Sequence, residues 1–443
     1  MPSAVHDLLS DVPGDFRVGR DIYRDPQVFA WEMQHVFEAT WNFLGLTSQA
    51  PRPFDYFTTH VGRSPVLVSR DGAGQLHAVI NSCRHKGALI AYRQRGNARN
   101  HVCQYHGWSY DATGRNVAVR DKADGAYGPA FDTQSHDLQP LARFGEYRGL
   151  LFGSLSDDVP PLDEWLGDVR KMLDLVVDQS PQGVECIPGT VNFTFRGNWK
   201  LQMENGVDPY HFAATHPSYI QALQKRQEKA SVYSGFRSRD LERGTFAFAN
   251  GHNTMWGPMP AGADTPLASI RDEIVARVGE VPAKWMGYVR NTTLFPNAQF
   301  AENASLQLRI WRPLAADRTE MRTFLLAPVG EPAQARARRI KQYEEFFNPT
   351  GLATPDDIAN YEDCQRGFRA GGVQWQQGAA RGEGAREGGA DHPSLAELGV
   401  RPLSTVVGTF NLGDETVMQS TYRHWAELIA RGLAREREGA ARG

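Results

Sequence analysis

Two short cysteine/histidine pairs constrain this chain more than any other feature of its sequence. They are Cys83–His85 and Cys103–His106, and the glycines Gly87 and Gly107 follow them. A thiolate and an imidazole two or three residues apart can bind the same metal centre, and two such segments can bind it from opposite sides. The pattern therefore predicts two turns that fold around one metal site.

The composition of the two pairs distinguishes between kinds of metal centre. Common structural zinc sites pair Cys with Cys and His with His, whereas here each segment offers one of each. A Rieske [2Fe–2S] centre needs two thiolates on one iron and two imidazoles on the other, which this pattern favours. Zinc remains the alternative. Cys186 and Cys364 have no neighbouring histidine, and we expect both to be small core residues.

The sequence around these pairs predicts three segments. Short β-rich runs alternate with turn signals from 41 to 155, which is typical of a small all-β domain. In residues 156–443 strands and helices come in runs, which predicts an α+β domain with an antiparallel sheet. Residues 1–40 form a lead-in followed by a helix that begins at Asp25-Pro26, and we expect this segment to pack on the 156–443 domain.

Charge and hydropathy exclude several classes of partner. The 443 residues include 48 Lys+Arg and 51 Asp+Glu, so no basic domain indicates nucleic acid as a partner. No run approaches the ~18 apolar residues of a membrane span. The first residues lack the basic-then-apolar order of a signal peptide. The expected location is therefore the cytoplasm, with no membrane association.

A second polar constellation lies in the predicted α+β domain. His211 and His216 are five residues apart, so on an ideal helix they would diverge by about 140°. They can converge only if the helix bends or ends between them, and Gly206 and Pro209 favour such an irregularity. Two histidines and one carboxylate, with open positions, form the ligand set of non-haem Fe(II) oxygenases.

The residues alone leave the carboxylate open. Asp208, three residues before His211, can be a ligand or a partner that orients the histidine. The pair Asp356 and Asp357 is the second candidate. Its alternative interpretation is a helix start, with Thr354 as the N-cap.

Together the two constellations resemble the large (α) subunits of Rieske non-haem iron aromatic-ring-hydroxylating dioxygenases. Within that family the chain is similar to the benzoate/toluate/anthranilate branch. The resemblance covers nearly the whole chain, including the segments 198–206, 335–344 and 353–365. It implies a small all-β Rieske domain followed by a catalytic domain with a helix-grip (START-like) antiparallel sheet.

The resemblance also implies a role for each candidate residue. The [2Fe–2S] cluster would be held by Cys83, His85, Cys103 and His106. The mononuclear Fe(II) would be held by His211, His216 and Asp357, with Asp357 favoured over Asp356. Asp208 would match an aspartate that links an iron-ligand histidine to a cluster histidine of a neighbouring subunit.

The activity implied by the resemblance is cis-dihydroxylation of an aromatic ring, with an aromatic carboxylate such as a benzoate as substrate. O2 is the second substrate. Electrons would come from NADH through a separate flavin/iron–sulfur reductase, because the chain has no G-x-G-x-x-G after a strand. The resemblance implies a small β subunit in an α3β3 assembly, or a homotrimer.

Two other functions remain open from the sequence. One is a monooxygenase or demethylase on the same scaffold. The other is a Rieske electron carrier, which the Cys/His pairs alone would fit. The long segment beyond residue 155, with its own histidines and carboxylates, argues against a carrier.

Overall fold

A computed structural model of the chain describes residues 5, 7–225, 241–259, 265–303, 305–385, 391–409 and 413–442. The chain divides into two compact units. One unit is Phe37–Leu162, and the other combines Met1–Val36 with Asp163–Gly443. The predicted domain boundaries at 41 and 155 stay predictions. In the part of the chain that is described, no helix combines the length and the apolar character that crossing a membrane requires.

The N-terminal segment combines a hairpin with the predicted helix. Strands β1 (Leu9–Val12) and β2 (Asp15–Gly19) pair antiparallel. Helix α1 (Pro26–Trp31) begins as expected from Asp25, whose side chain accepts a hydrogen bond from the Gln27 amide at 2.7 Å. The hairpin was not expected, because the lead-in carries no clear alternation of apolar and polar residues.

The smaller unit contains short antiparallel strands, which confirms the all-β prediction. They form sheets in the orders β6-β5-β4-β7, β10-β9-β8 and β11-β12-β3. The strands are β3 (Asn42–Leu46), β4 (Asp55–Val61), β5 (Ser64–Arg70), β6 (Leu76–Ile80), β7 (Arg95–Asn97), β8 (Asn100–Val102), β9 (Ser109–Asp111), β10 (Asn116–Ala118), β11 (Arg143–Tyr147) and β12 (Leu150–Ser154).

The larger unit is built on one large antiparallel sheet, as predicted. Its order is β13-β20-β19-β18-β17-β16-β15-β22, and β14 also pairs with β20. The strands of this unit that follow the smaller one are β13 (Val184–Cys186), β14 (Val191–Phe195), β15 (Arg243–Ala247), β16 (Asn253–Gly257), β17 (Val289–Leu294), β18 (Ala298–Glu302), β19 (Leu306–Ala315), β20 (Arg318–Pro328), β21 (Trp375–Gln376) and β22 (Ser404–Gly408).

The helices of the larger unit include those that carry or precede the candidate site residues. They are α2 (Leu162–Leu166), α3 (Arg170–Val177), α4 (Trp199–Asn205), α5 (Phe212–Thr215), α6 (Pro217–Lys225), α7 (Arg271–Val278), α8 (Glu280–Met286), α9 (Ala333–Gln342), α10 (Thr354–Gly367), α11 (Pro393–Leu398) and α12 (Val417–Arg442). Two π-helical turns, Glu32–Phe37 and Tyr343–Phe347, follow α1 and α9.

The large sheet carries a buried aromatic cluster on one face and a row of buried polar side chains on the other. Residues that face each other across antiparallel strands point to the same side. On one side, the α8 residue Trp285 packs against Trp256 and Phe246, with ring centroids 5.1 and 6.3 Å apart. The other side carries a buried polar row that crosses five strands in register: Asn253, Thr293, Gln299, Arg309 and Thr323.

The C-terminal helix α12 contacts this polar side. The Asn253 side chain donates to the Thr421 hydroxyl at 3.1 Å, and that hydroxyl donates to the Gly251 carbonyl at 3.1 Å. A sheet that carries a long helix on one face agrees with the helix-grip fold expected from the resemblance.

One prediction about the core was wrong. Cys186 is only half-buried, and Cys364 is exposed. On α10 the buried positions are Asp357, Tyr361 and Gln365, which are four residues apart and therefore share one face. Cys364 lies off that face, so it does not enter the core.

Candidate metal centres

The two Cys/His segments form turns with the same backbone hydrogen bonds. In the first, the Cys83 amide donates to the Ala88 carbonyl at 2.8 Å and the Gly87 amide donates to the Cys83 carbonyl at 2.8 Å. In the second, Cys103 and Gly107 make the matching bonds to Trp108 and Cys103, at 2.8 and 2.9 Å. Each glycine has a φ of 76°, a left-handed conformation that favours glycine.

The side chains on these turns fit a metal cluster better than a dry core. Cys83 and Cys103 are buried and form no disulfide. The rings of His85 and His106 lie 4.4 Å apart between centroids. The His85 Nδ1 atom is buried and has no hydrogen-bond partner among the described residues, which is costly for a polar atom unless something binds it. These four side chains can therefore supply two thiolates and two imidazoles.

Tyr110 contacts one of these cysteines and was missed by sequence reasoning. Its buried hydroxyl lies 3.3 Å from the Cys83 Sγ atom and accepts a hydrogen bond from the Arg84 amide at 3.1 Å. Because that amide can only donate, the Tyr110 proton is left free to point at the sulfur. Its only sequence signal was an aromatic residue two positions after Trp108.

In the larger unit, helix α4 leads directly into the second site and is anchored by buried charges. The Lys200 ammonium pairs with the Glu32 carboxylate at 2.5 Å, and both side chains are fully buried. Glu204 accepts hydrogen bonds from the hydroxyls of Tyr23, at 2.5 Å, and Tyr422. A buried ion pair with further hydrogen bonds holds a helix in one position, so the residues that follow α4 start from a fixed point.

Gly206 follows α4 and is pressed against the sheet. An ideal Cβ atom at this position would lie 1.9 Å from the Gln299 Oε1 atom, so a side chain cannot be accommodated without moving the polar row. The Gly206 carbonyl accepts a hydrogen bond from Asn291 at 2.7 Å. The chain can therefore turn here and bring the following histidines over the polar face.

His211 and His216 converge because no single helix contains both. Helix α5 ends at Thr215, and α6 begins at Pro217. This confirms the expectation that the helix must be interrupted. The two rings lie 5.5 Å apart between centroids, and both Nε2 atoms face the same carboxylate.

That carboxylate belongs to Asp357. Its Oδ1 atom lies 3.6 Å from the His211 Nε2 atom and 3.2 Å from the His216 Nε2 atom. The donor atoms of the three residues all lie within 4.8 Å of one another. Two ligands about 2.1 Å from a metal and roughly at right angles lie about 3 Å apart, so this spacing fits a single metal ion.

The alternative interpretation of this segment as a helix start is only partly right. Helix α10 does begin at Thr354, but Thr354 is not the N-cap, because its hydroxyl donates to the Phe347 carbonyl at 2.8 Å. Asp357 is buried at the site.

Each histidine has a second carboxylate on its far side. The His211 Nδ1 atom lies 3.2 Å from Asp208, and the His216 Nδ1 atom lies 3.3 Å from Asp356. A carboxylate at Nδ1 accepts that proton and leaves the Nε2 lone pair free for a metal. Sequence reasoning weighed Asp356 only as a rival ligand, and its orienting position behind His216 was missed.

Electrostatics at the site raise the pKa of His211 and lower the pKa of Asp357. Burial alone would lower the pKa of His211, but the hydrogen bond with Asp208 and the charges of Asp357 and Asp208 raise it. Burial alone would raise the pKa of Asp357, but the hydrogen bond with His216 and the charges of both histidines and Arg309 lower it. Asp357 is therefore a carboxylate, the form that binds a divalent cation.

Asn205, the last residue of α4, was also missed as a site residue. Its amide nitrogen lies 3.2 Å from the His211 Nε2 atom and 3.2 Å from the Asp357 Oδ1 atom. An amide donor at this nitrogen requires the proton of His211 to be on Nδ1, toward Asp208. The signal for Asn205 was its place in the dense polar stretch before His211.

A pocket opens onto the triad. Phe212, Phe346, Phe347, Met255 and Val289 supply apolar and aromatic walls, and Arg309 lines the same space. These walls suit an apolar or aromatic group beside the candidate metal ligands.

Two family models match the chain. The model described as "Ring hydroxylating alpha subunit (catalytic domain)" matches residues 162–429. The model described as "Rieske [2Fe-2S] domain" matches residues 40–132, which include both Cys/His turns.

Similar proteins extend over nearly the whole chain. The toluate 1,2-dioxygenase subunit alpha of Pseudomonas putida is 39% identical, over 96% of this chain and 93% of that protein. The 2-halobenzoate 1,2-dioxygenase large subunit of Burkholderia cepacia is 37% identical, over 98% and 95%. The crystal structure of naphthalene 1,2-dioxygenase from Rhodococcus sp. bound to indole has a TM-score of 0.81 and 25% identity, covering 97% of each chain.

Proposed function

The chain belongs to the ring-hydroxylating alpha-subunit family, with a Rieske [2Fe-2S] domain before its catalytic domain, and we propose that it cis-dihydroxylates an aromatic carboxylate. The single observation that carries the proposal is the convergence of His211, His216 and Asp357 beside an aromatic-lined pocket. Relatives at 37–39% identity are named as dioxygenases of toluate, 2-halobenzoate and anthranilate, all of which are aromatic acids.

His211, His216 and Asp357 hold the mononuclear iron in this proposal. The donor set matches the 2-His-1-carboxylate site of non-haem Fe(II) oxygenases. Asp208 and Asp356 hold the histidines in the tautomer that leaves Nε2 free, and the Asn205 amide can donate a hydrogen bond to the Asp357 Oδ1 atom. When bound, such an iron supplies O2 activation, while the protein supplies orientation and a pocket that excludes water.

The four residues Cys83, His85, Cys103 and His106 hold the [2Fe–2S] cluster. The matching turns, the buried thiols and the unpartnered His85 Nδ1 atom support this role. The family's oxygenase components receive electrons from NADH through a separate reductase. They use these electrons to react O2 with the aromatic substrate. We also propose that the chain assembles either with a small β subunit or as a homotrimer.

Metal content and labelled oxygen test the proposed function. The purified chain, tested with a surrogate reductase and a panel of benzoates, should contain about three irons and about two acid-labile sulfides per chain. Under 18O2 the product should be a cis-diol that carries two labelled oxygens. A chain that contains zinc and no sulfide would overturn the cluster. A product with a single labelled oxygen would replace dioxygenation with monooxygenation.

Tyr110→Phe should lower the reduction potential of the cluster. A hydrogen bond to a thiolate sulfur stabilises the reduced state, whose negative charge is larger. Losing a net hydrogen bond of about 1–1.5 kcal/mol corresponds to about 40–65 mV for one electron. A redox titration followed by EPR measures the shift. Tyr105→Phe is the matched control, because Tyr105 is 63% exposed beside His106. An equal potential in both variants would contradict the role of Tyr110.

A further inference from the structure

Arg309 is a buried cation whose hydrogen-bond partners among the described residues are neutral. It is 8% exposed. Its Nε atom donates to the Gln307 Oε1 atom at 2.6 Å, and its Nη1 atom donates to the Gln299 Oε1 atom at 3.2 Å. Among the described residues, no carboxylate pairs with this guanidinium. An arginine stays protonated in proteins, so the interior holds a positive charge that has no carboxylate in hydrogen-bond contact among the described residues. The charge acts at longer range on Asp357 and lowers the pKa of that carboxyl.

The charge faces the pocket that contains the triad. Arg309 lies on β19 directly opposite Gln299 of β18, in the polar row of the sheet. It lines the pocket together with His211, His216 and Asp357, and its guanidinium carbon is 5.3 Å from the centre of the Phe347 ring. Among the described residues that line this pocket, Arg309 is the only lysine or arginine.

The geometry points to an anionic ligand that pairs directly with Arg309. A buried ion without a counter-ion is costly, whereas a hydrogen-bonded pair in the same place is much less so. Gln307 and Gln299 use two of the five guanidinium protons and fix the plane of the group. A fixed guanidinium plane is suited to two parallel hydrogen bonds with a carboxylate.

We propose that Arg309 binds the carboxylate of the aromatic substrate and so places the ring beside His211, His216 and Asp357. This inference rests on the proposed function and adds the residue that determines its substrate class. A neutral ring of the same shape would leave the buried charge unpaired and would bind weakly.

Benzoate and benzamide separate charge recognition from packing, because the two molecules have nearly the same shape. Their affinities can be measured by calorimetry under nitrogen, and kcat/KM can be measured by O2 uptake. In Arg309→Met the affinity and kcat/KM for benzoate should fall about 100-fold, the scale of losing one partner of a buried charge pair. Benzamide should change less than about 3-fold. Arg309→Lys should lose about 10-fold for benzoate, since it keeps the charge and loses the planar fork.

Arg312→Met is the matched control on the same strand. Arg312 lies on β19 outside the pocket lining and pairs with Glu320 at 3.6 Å. Its variant should bind and oxidise benzoate like the wild type. The visible absorption of the cluster and the iron content of each variant show whether the fold and both centres are intact.

The outcomes distinguish this inference from the function on which it rests. If Arg309→Met loses benzoate and benzamide binding equally, Arg309 only stabilises the sheet and the inference is overturned. If Arg309→Met does not fold, Arg309→Lys provides the test, because it keeps the charge and loses the planar fork. An unchanged benzoate affinity in Arg309→Lys would also overturn the inference. If the wild type binds benzoate through Arg309 but dihydroxylates no aromatic acid, the inference stands and the proposed function fails. If benzoate is dihydroxylated equally well without Arg309, the function stands and the inference fails.

Discussion

Asp357→Ala should empty the mononuclear iron site and abolish turnover, while the Rieske spectrum stays unchanged. In the described part of the chain, Asp357 is the one carboxylate whose oxygen faces the Nε2 atoms of both histidines, at 3.2 and 3.6 Å. Its removal leaves two neutral imidazoles, a donor set with no charge to balance a divalent cation. Substrate-dependent O2 uptake should fall at least about 1,000-fold, beyond the ~10- to 100-fold effects of groups outside the ligand set.

Asp356→Ala provides the comparison for that measurement. Asp356 lies next to Asp357 in sequence but contacts the opposite ring nitrogen of His216, at 3.3 Å. It should weaken iron binding about 10- to 100-fold and leave measurable turnover. If Asp356→Ala loses the iron while Asp357→Ala retains it, the two residues have been assigned in the wrong order. If Asp357→Ala loses only about 1 kcal/mol of folding stability and keeps its iron, Asp357 merely serves the helix start.

The parts of the fold that the sequence predicted are those with a simple periodicity. Strand β6 (Leu76–Ile80) is one of the short β-rich runs within 41–155, and β14 (Val191–Phe195) alternates strictly between apolar and polar residues. The strands β15 to β18 were not predicted. Their residues are almost all buried on both faces, with polar groups such as Asn253 and Gln299 on the side that faces α12 and the pocket. Burial on both faces removes the apolar/polar alternation by which a strand is recognised.

The candidate site was predictable where chemistry is encoded in local spacing. The two Cys/His segments, and the pair His211 and His216, are each close in sequence. Asp357 came from the resemblance, because 141 residues separate it from His216. Arg309 could not be assigned, because only the register of β18 and β19 places it beside the pocket. Its sequence signal was a charged residue inside an otherwise largely apolar strand.

The Asp208 carboxylate makes three hydrogen bonds within its own segment. Its Oδ2 atom lies 3.2 Å from the His211 Nδ1 atom, and its Oδ1 atom accepts from the Tyr210 amide at 2.6 Å and from the His211 amide at 3.4 Å. The side chain remains 21% exposed, and the Oδ2 atom can accept a second hydrogen bond. Asp208 can therefore hold His211 and also accept from a protonated cluster histidine of a neighbouring subunit. One carboxylate would then connect both centres through charge-assisted hydrogen bonds.

Asp208→Asn should keep the cluster and most of the iron. Substrate-dependent O2 uptake should fall about 100-fold or more, which equals or exceeds the largest losses that are typical of residues that orient metal ligands. Asp356→Asn is the matched control, because Asp356 holds His216 as Asp208 holds His211 but has no proposed role between subunits. If the two aspartates serve only to orient histidines, both variants should lose activity about equally. A link between centres predicts a further effect in Asp208→Asn alone: dithionite still reduces the cluster, but its reoxidation in a single turnover with substrate and O2 becomes slow. Near-wild-type turnover would mean that Asp208 only caps the backbone turn in which it lies. Loss of the iron would make it a ligand and would reopen the assignment of Asp357.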